Sequence, residues 1–289
     1  MAQLYAACRT NGVLVVRHVQ LASQLQGQLD GVFQAQEASF LAGISEEIDF
    51  TGDWKPDDDE LLVINGLPDA QTLLAVANQN AVALPPLNVQ NFGNENVKGL
   101  FTALGEGQNR RLLIQNFSPQ QLLSTQFTLL HDGNVFRRLT EPAFSLGTQL
   151  VASISAAGAI RFKSYPMLRR ILDITPVFHE ATDAELGTFC AHGNLSFVDA
   201  QAFVANADEG MRKFVHSIGK LNVLGLHAVA EIEARAIEIG FQIAVVGGRI
   251  SVPQDRKGAK TLFSFLLNRV YRGPIDHQLQ ITNSNRPLA

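Results

Sequence analysis

The order of signals along the chain predicts an α+β fold: an N-terminal α/β unit followed by a hairpin-rich sheet and a helical block. Strand-like segments come first, the pattern from Thr182 to Gly240 is helical, and a hairpin and a helix follow it. Grouping of this kind opposes the strand-helix alternation of a doubly wound parallel sheet. No internal repeat and no low-complexity segment interrupts it.

Val13 to Val19 reads as a strand, and Leu21, Leu25, Leu29, Val32, Phe33 and Phe40 recur at helical spacing, which predicts a helix of about five turns. Asp53-Trp54-Lys55-Pro56-Asp57-Asp58-Asp59-Glu60 is an acidic loop before a short buried strand, Leu61 to Ile64, closed by Asn65-Gly66. Asp69 is placed to cap a helix to about Asn78, and Asn94 a second helix through Val97, Leu100, Phe101 and Leu104. The stretch Gly105 to Asn109 marks the expected domain boundary, giving units 1–109 and 110–289. Arg110 to Phe117 reads as a strand, and Ser118-Pro119 as the start of a short helix.

Two hairpins are expected next: Phe127 to Phe136 around Asp132-Gly133, and Leu150 to Ile154 with Ala159 to Phe162 across Ala156-Ala157-Gly158. Pro166 opens a helix with Leu168, Ile171 and Leu172 inside and Arg169 and Arg170 outside. Thr182 and Glu185 have the spacing of a capping box, Met211 to Ile218 and Val229 to Ile239 are amphipathic, and Gly240 ends the helical block. Phe241, Ile243 and Val245 alternate up to Gly247-Gly248, and Ile250 and Val252 resume the alternation as a hairpin. Arg256, Lys257 and Lys260 then lead into an apolar helix, Leu262 to Leu267, with Arg269 and Arg272 at its far end.

Composition narrows the class. At 289 residues, 46% of them hydrophobic and 17% charged, the chain can bury a full globular core. No apolar run is long enough to span a bilayer, the first residues lack a secretory pattern, and Cys8 and Cys190 are too few for a disulfide framework, so a cytoplasmic protein is expected. Charge is uneven along the chain. Residues 1–108 carry 4 Lys and Arg against 13 Asp and Glu, residues 109–240 carry 12 against 12, and residues 241–289 carry 7 against 2. Cations at the start of a helix oppose its dipole, so this basic end points to an anionic partner; a solvated helix face is the ordinary alternative.

No catalytic constellation is legible. Gly105-Glu106-Gly107 lacks the Lys and Ser/Thr of a phosphate loop, and Ser153 and Ser155 lack a nucleophile elbow. Asp57, Asp58, Asp59 and Glu60 are dense enough to hold Mg²⁺ for a nuclease, but consecutive loop carboxylates also form ordinary solvated faces. His179, Cys190 and His192 lack the paired spacing of zinc ligands; Cys190 fits a helix core and His192 a helix end. No catalytic residue, metal ligand or cofactor is assigned.

Phe117 with Phe127-Thr128-Leu129-Leu130-His131-Asp132-Gly133, and Phe263-Ser264-Phe265-Leu266-Leu267-Asn268 with Asp276 and Gln280-Ile281-Thr282-Asn283-Ser284, carry a resemblance to a known family. The chain from Arg110 onward resembles the KwaB-like family of the Kiwa anti-phage defence system. Ser284 matches a near-terminal Ser-Lys pair of that family, Asn285 stands where the family has lysine, and Arg286 follows. The resemblance implies a self-associating cytoplasmic effector that binds double-stranded DNA without an evident catalytic site. It also implies a membrane-spanning sensor partner that recruits the protein to the inner membrane. The expected DNA contacts are Arg256, Lys257, Lys260, Arg269 and Arg272, then Arg161, Lys163, Arg169, Arg170, Arg212 and Lys213. The alternatives are a self-assembling scaffold that binds no DNA and a metal-dependent nuclease built on Asp57 to Glu60.

Overall fold

A computed structural model describes residues 3–52, 54–79, 83–88, 94–123, 128–140, 143–283 and 285. It has the α+β architecture expected, in two compact units: one of residues 1–50 and 56–177, the other of residues 51–55 and 178–289.

The first unit is built on an eight-stranded sheet. Strands β1 (Leu4–Thr10) and β2 (Val13–Val19) form a hairpin through Asn11-Gly12, both at positive φ, the turn that matches strand twist. Helix α1 (Ser23–Leu41) follows, then β3 (Glu46–Asp49), β4 (Glu60–Ile64) and α2 (Pro68–Ala77). Strands β5 (Val97–Leu104) and β6 (Arg111–Asn116) pair antiparallel. The short strands β7 (Leu122–Leu123) and β10 (Ala143–Phe144) pair with each other, as do β8 (Leu129–Asp132) and β9 (Val135–Arg138). Strands β11 (Ala152–Ser155) and β12 (Ile160–Phe162) then return to the large sheet, whose order is β2-β1-β5-β6-β11-β12-β4-β3. All its pairings are antiparallel except β3 with β4. A single helical turn, α3 (Tyr165–Leu168), completes the set. Leu29, Phe33 and Phe40 of α1 cover one sheet face over Leu4, Ala6, Cys8, Leu100 and Leu113.

Several expectations are corrected here. The Gly105 to Asn109 stretch joins two paired strands of one sheet, so the 1–109 and 110–289 division gives way to the units above. Val97 to Leu104 is a strand and not a helix: nearly every position is buried on both faces, and such a run has no alternation to distinguish it from helical spacing. Gly99 in that strand leaves no room for a Cβ, which would lie 2.9 Å from the Gln115 carbonyl oxygen. Asp69 does not cap α2. Leu67 occupies the cap position, and the Asp69 carboxylate pairs with Arg9 and accepts the Asp173 backbone N–H at 2.7 Å. Phe127, Ser284 and Arg286 lie outside the described residues.

The second unit runs α4 (Asp183–Cys190), β13 (Leu195–Ser196), α5 (Ala200–Asn206), α6 (Glu209–Lys220), α7 (Val223–Leu226) and α8 (Val229–Ile239). It continues with β14 (Val245–Val246), β15 (Arg249–Ser251), α9 (Arg256–Leu266), β16 (Val270–Arg272) and β17 (Leu279–Ile281). Gly240 at φ +74 ends α8, and Gly247 and Gly248 turn the hairpin, as expected. Strand β13 was not expected; it pairs in parallel with β15 inside the otherwise helical block. Leu186 and Phe189 of α4, Phe214 and Ile218 of α6, and Leu262, Phe263 and Leu266 of α9 form this unit's core. No helix among the described residues is long and apolar enough to cross a membrane.

Candidate functional site

The amphipathic α9 buries Ala259, Leu262, Phe263 and Leu266 and leaves Arg256, Lys257 and Lys260 exposed. Its N-cap is Asp255, whose carboxylate accepts the Gly258 N–H at 2.8 Å. Arg256 donates from Nε to Asp208 Oδ2 at 2.7 Å. Asp208 is itself the N-cap of α6; the Met211 N–H and then Arg256 hold its carboxyl below the usual range. Lys257 and Lys260, one turn apart, form no ion pair among the described residues.

The other expected DNA contacts are largely occupied. Arg269 lies with its guanidinium 5.1 Å from the centre of the Phe214 ring. Arg272 donates from Nε to the Ile239 carbonyl at 2.8 Å, closing the end of α8 beside Gly240. Arg212 straps three points together, donating to the carbonyls of Ala207 and Ala181 at 3.0 and 2.8 Å and to Asp183 at 2.6 Å. Lys213 pairs with Glu209 at 2.5 Å.

The remaining four belong to the first unit. Arg161 pairs with Glu47 at 2.6 Å, Lys163 reaches the Asp58 carbonyl at 3.4 Å, and Arg169 lies 5.8 Å from the Tyr165 ring centre. Arg170 is exposed and forms no ion pair among the described residues.

The expected DNA contacts thus differ in how far their charge is already engaged. The eleven residues divide between two units; within the second, Arg256, Lys257 and Lys260 stand on α9 and Arg212 and Lys213 on α6, which packs against it. The positive excess is also balanced within its own unit, where 12 Lys and Arg meet 12 Asp and Glu. What survives as an open cationic site is the pair Lys257 and Lys260, with Arg256 held by one partly exposed carboxylate.

The acidic loop does not gather its donors around one point. Glu60 is buried and its Oε2 accepts the Asp57 N–H at 2.9 Å, while Asp59 accepts the Ser45 hydroxyl at 2.7 Å. A different cluster does converge. His179 lies between the units' chain boundary and α4, Glu185 is on the first turn of α4, and His216 is on α6. Their ligand-type atoms all lie within 4.8 Å of one another, the one such group among the described residues. His179 Nε2 is 3.0 Å from Glu185 Oε1, and the His179 and His216 rings are 4.1 Å apart between centres. Glu185 Oε2 accepts the Thr182 N–H at 2.7 Å and its hydroxyl at 2.9 Å. The Thr182 backbone hydrogen bond, then the His179 hydrogen bond, hold the Glu185 carboxyl down at about 2.

Of the residues weighed as zinc ligands, His179 alone is in this cluster. His192 Nδ1 accepts the Asn194 N–H at 3.2 Å, and Cys190 sits at the end of α4. His192 does share with Glu185 and His216 the wall of a cleft of about 460 Å³. The sequence signal for Glu185 was its capping box; nothing linked it to His216, thirty-one positions on.

No family model, curated protein or solved structure matches the chain.

Proposed function

We propose that this protein is a non-catalytic, double-stranded DNA-binding effector of the Kiwa type, and that the exposed start of α9 is its phosphate-contacting face. The observation that carries the proposal is the placement of Lys257 and Lys260. They stand on the first turns of a helix, where the dipole disfavours cations, and neither is ion-paired to a compensating carboxylate among the described residues. A duplex phosphate backbone supplies that compensation for both, and Arg256 can exchange its surface pairing with Asp208 for a phosphate at little cost. The resemblance from Arg110 onward supports the same activity, together with a cytoplasmic site of action and recruitment by a membrane-spanning sensor.

The test is fluorescence anisotropy of a labelled duplex with the wild type and with Lys257→Glu/Lys260→Glu. The double variant is expected to lose binding while keeping its circular dichroism. Equal affinity in the two proteins would remove α9 from the interface.

A second reading, self-association without DNA, is favoured by the β16–β17 hairpin. Ile275 in its loop is 93% exposed, and Leu279 and Ile281 on β17 also face solvent. Light scattering of Ile275→Asp/Ile281→Asp against the wild type decides whether that apolar surface holds copies together.

A further inference from the structure

We propose that His179, Glu185 and His216 form a binding site for one divalent transition-metal ion of the zinc type, with an open coordination position facing the neighbouring cleft. Zinc held by imidazole nitrogen and carboxylate oxygen at ~2.1 Å sets tetrahedral donors roughly 3.4 Å apart. The His179 to Glu185 pair is at 3.0 Å and the whole set spans no more than 4.8 Å, so small rotations of the side chains suffice to reach that spacing. With both imidazoles neutral the trio carries one negative charge, and two nitrogens with one carboxylate select zinc-like ions over the oxygen-seeking Mg²⁺.

The three donors stand on segments held by contacts other than the ion. The capping box fixes Glu185 by its Oε2 and so presents Oε1 to His179. The segment leading into α4 is tied to α6 by the Ala181 N–H on the Arg212 carbonyl at 3.2 Å and by the Arg212 side chain on the Ala181 carbonyl. The edge of Phe178 meets the His216 ring with 5.5 Å between centres, and Gly52 leaves no room for a Cβ against Phe178. Supporting contacts of this kind orient metal ligands before the metal arrives.

Three protein donors leave a zinc-type ion one position short, and a site that is short one ligand binds water or a ligand oxygen there. The cleft lined by Glu185, His192 and His216 provides the access. None of the α9 lysines is among the donors, so the site stands independently of the nucleic-acid reading.

The experiment uses the full-length, untagged protein, stripped with chelator and titrated with Co²⁺ followed by optical absorption, then with competing Zn²⁺. The wild type is expected to take up one equivalent of Co²⁺, displaced by Zn²⁺. Glu185→Gln keeps the cap, because glutamine also serves in a capping box, yet removes the anionic donor. It and His216→Ala are expected to lower affinity at least ~100-fold, beyond the usual effect of losing a supporting hydrogen bond. Cys190→Ser and His192→Ala are expected to bind as the wild type does. A wild type that takes up no metal, or one whose binding survives in Glu185→Gln and is lost in Cys190→Ser, would overturn the assignment.

Discussion

The Glu185 cap makes a prediction that can be worked through in numbers. Its carboxyl falls from 4.5 to about 2, chiefly through the Thr182 N–H and then His179. At about 1.4 kcal/mol per pH unit this is ~3.4 kcal/mol for a sequestered group. The side chain is 45% exposed, and solvent screening reduces the figure to ~1 kcal/mol. Because the folded value is depressed, the stabilisation is complete above the unfolded value near 4.5 and drains away as pH falls towards 2.

Glu185→Gln is therefore expected to be less stable than the wild type by ~1 kcal/mol at pH 7, with most of the gap gone at pH 3. Urea unfolding followed by tryptophan fluorescence reads this directly, since the one tryptophan, Trp54, belongs to the same unit as Glu185. A gap that is the same at both pH values would refute the proposed charge-dependent cap. Thr182→Ala, which removes the hydroxyl from both of its hydrogen bonds, is expected to cost ~1 kcal/mol at pH 7 in the same assay.

Two further outcomes follow from packing. Phe263, fully buried between the Phe189 and Phe203 rings, is expected to cost ~3–5 kcal/mol as Phe263→Ala, measured by the same fluorescence. Cys8 lies under α1, and burial, reinforced by the Glu95 charge, pushes its thiol up to about 11. Alkylation at pH 8 is therefore expected to spare it in the folded protein and to modify it in urea, as peptide mass mapping would show.

The chain made some of this architecture easy to read and hid the rest for identifiable reasons. Helices with one apolar face and a defined end were legible: α6 and α8 follow the 3.6-residue period, and Thr182 and Gly240 mark a start and a stop. Strands buried on both faces were not. In β5 the positions Val97, Leu100, Phe101 and Leu104 mimic a helical stripe, and in β1 the run Tyr5 to Cys8 has no polar alternation, leaving Asn11-Gly12 as the sole local clue.

The candidate sites differ in the same way. The cations of α9 were visible as a charge excess, but a linear count cannot see Asp208 across from Arg256, or Arg272 folded back on Ile239. His216 is brought to His179 and Glu185 only by the packing of α4 against α6, so no spacing rule reaches it.

The salt dependence of duplex binding tests the central claim most directly, because phosphate contacts leave a quantitative signature. Each contact lowers the slope of log affinity against log salt by ~0.9. Arg256, Lys257 and Lys260 together should contribute ~2.7 to the wild-type slope, and Lys257→Ala/Lys260→Ala should make it shallower by ~1.8. An unchanged slope in the double variant, or wild-type affinity indifferent to salt, would contradict the assignment of α9 to DNA.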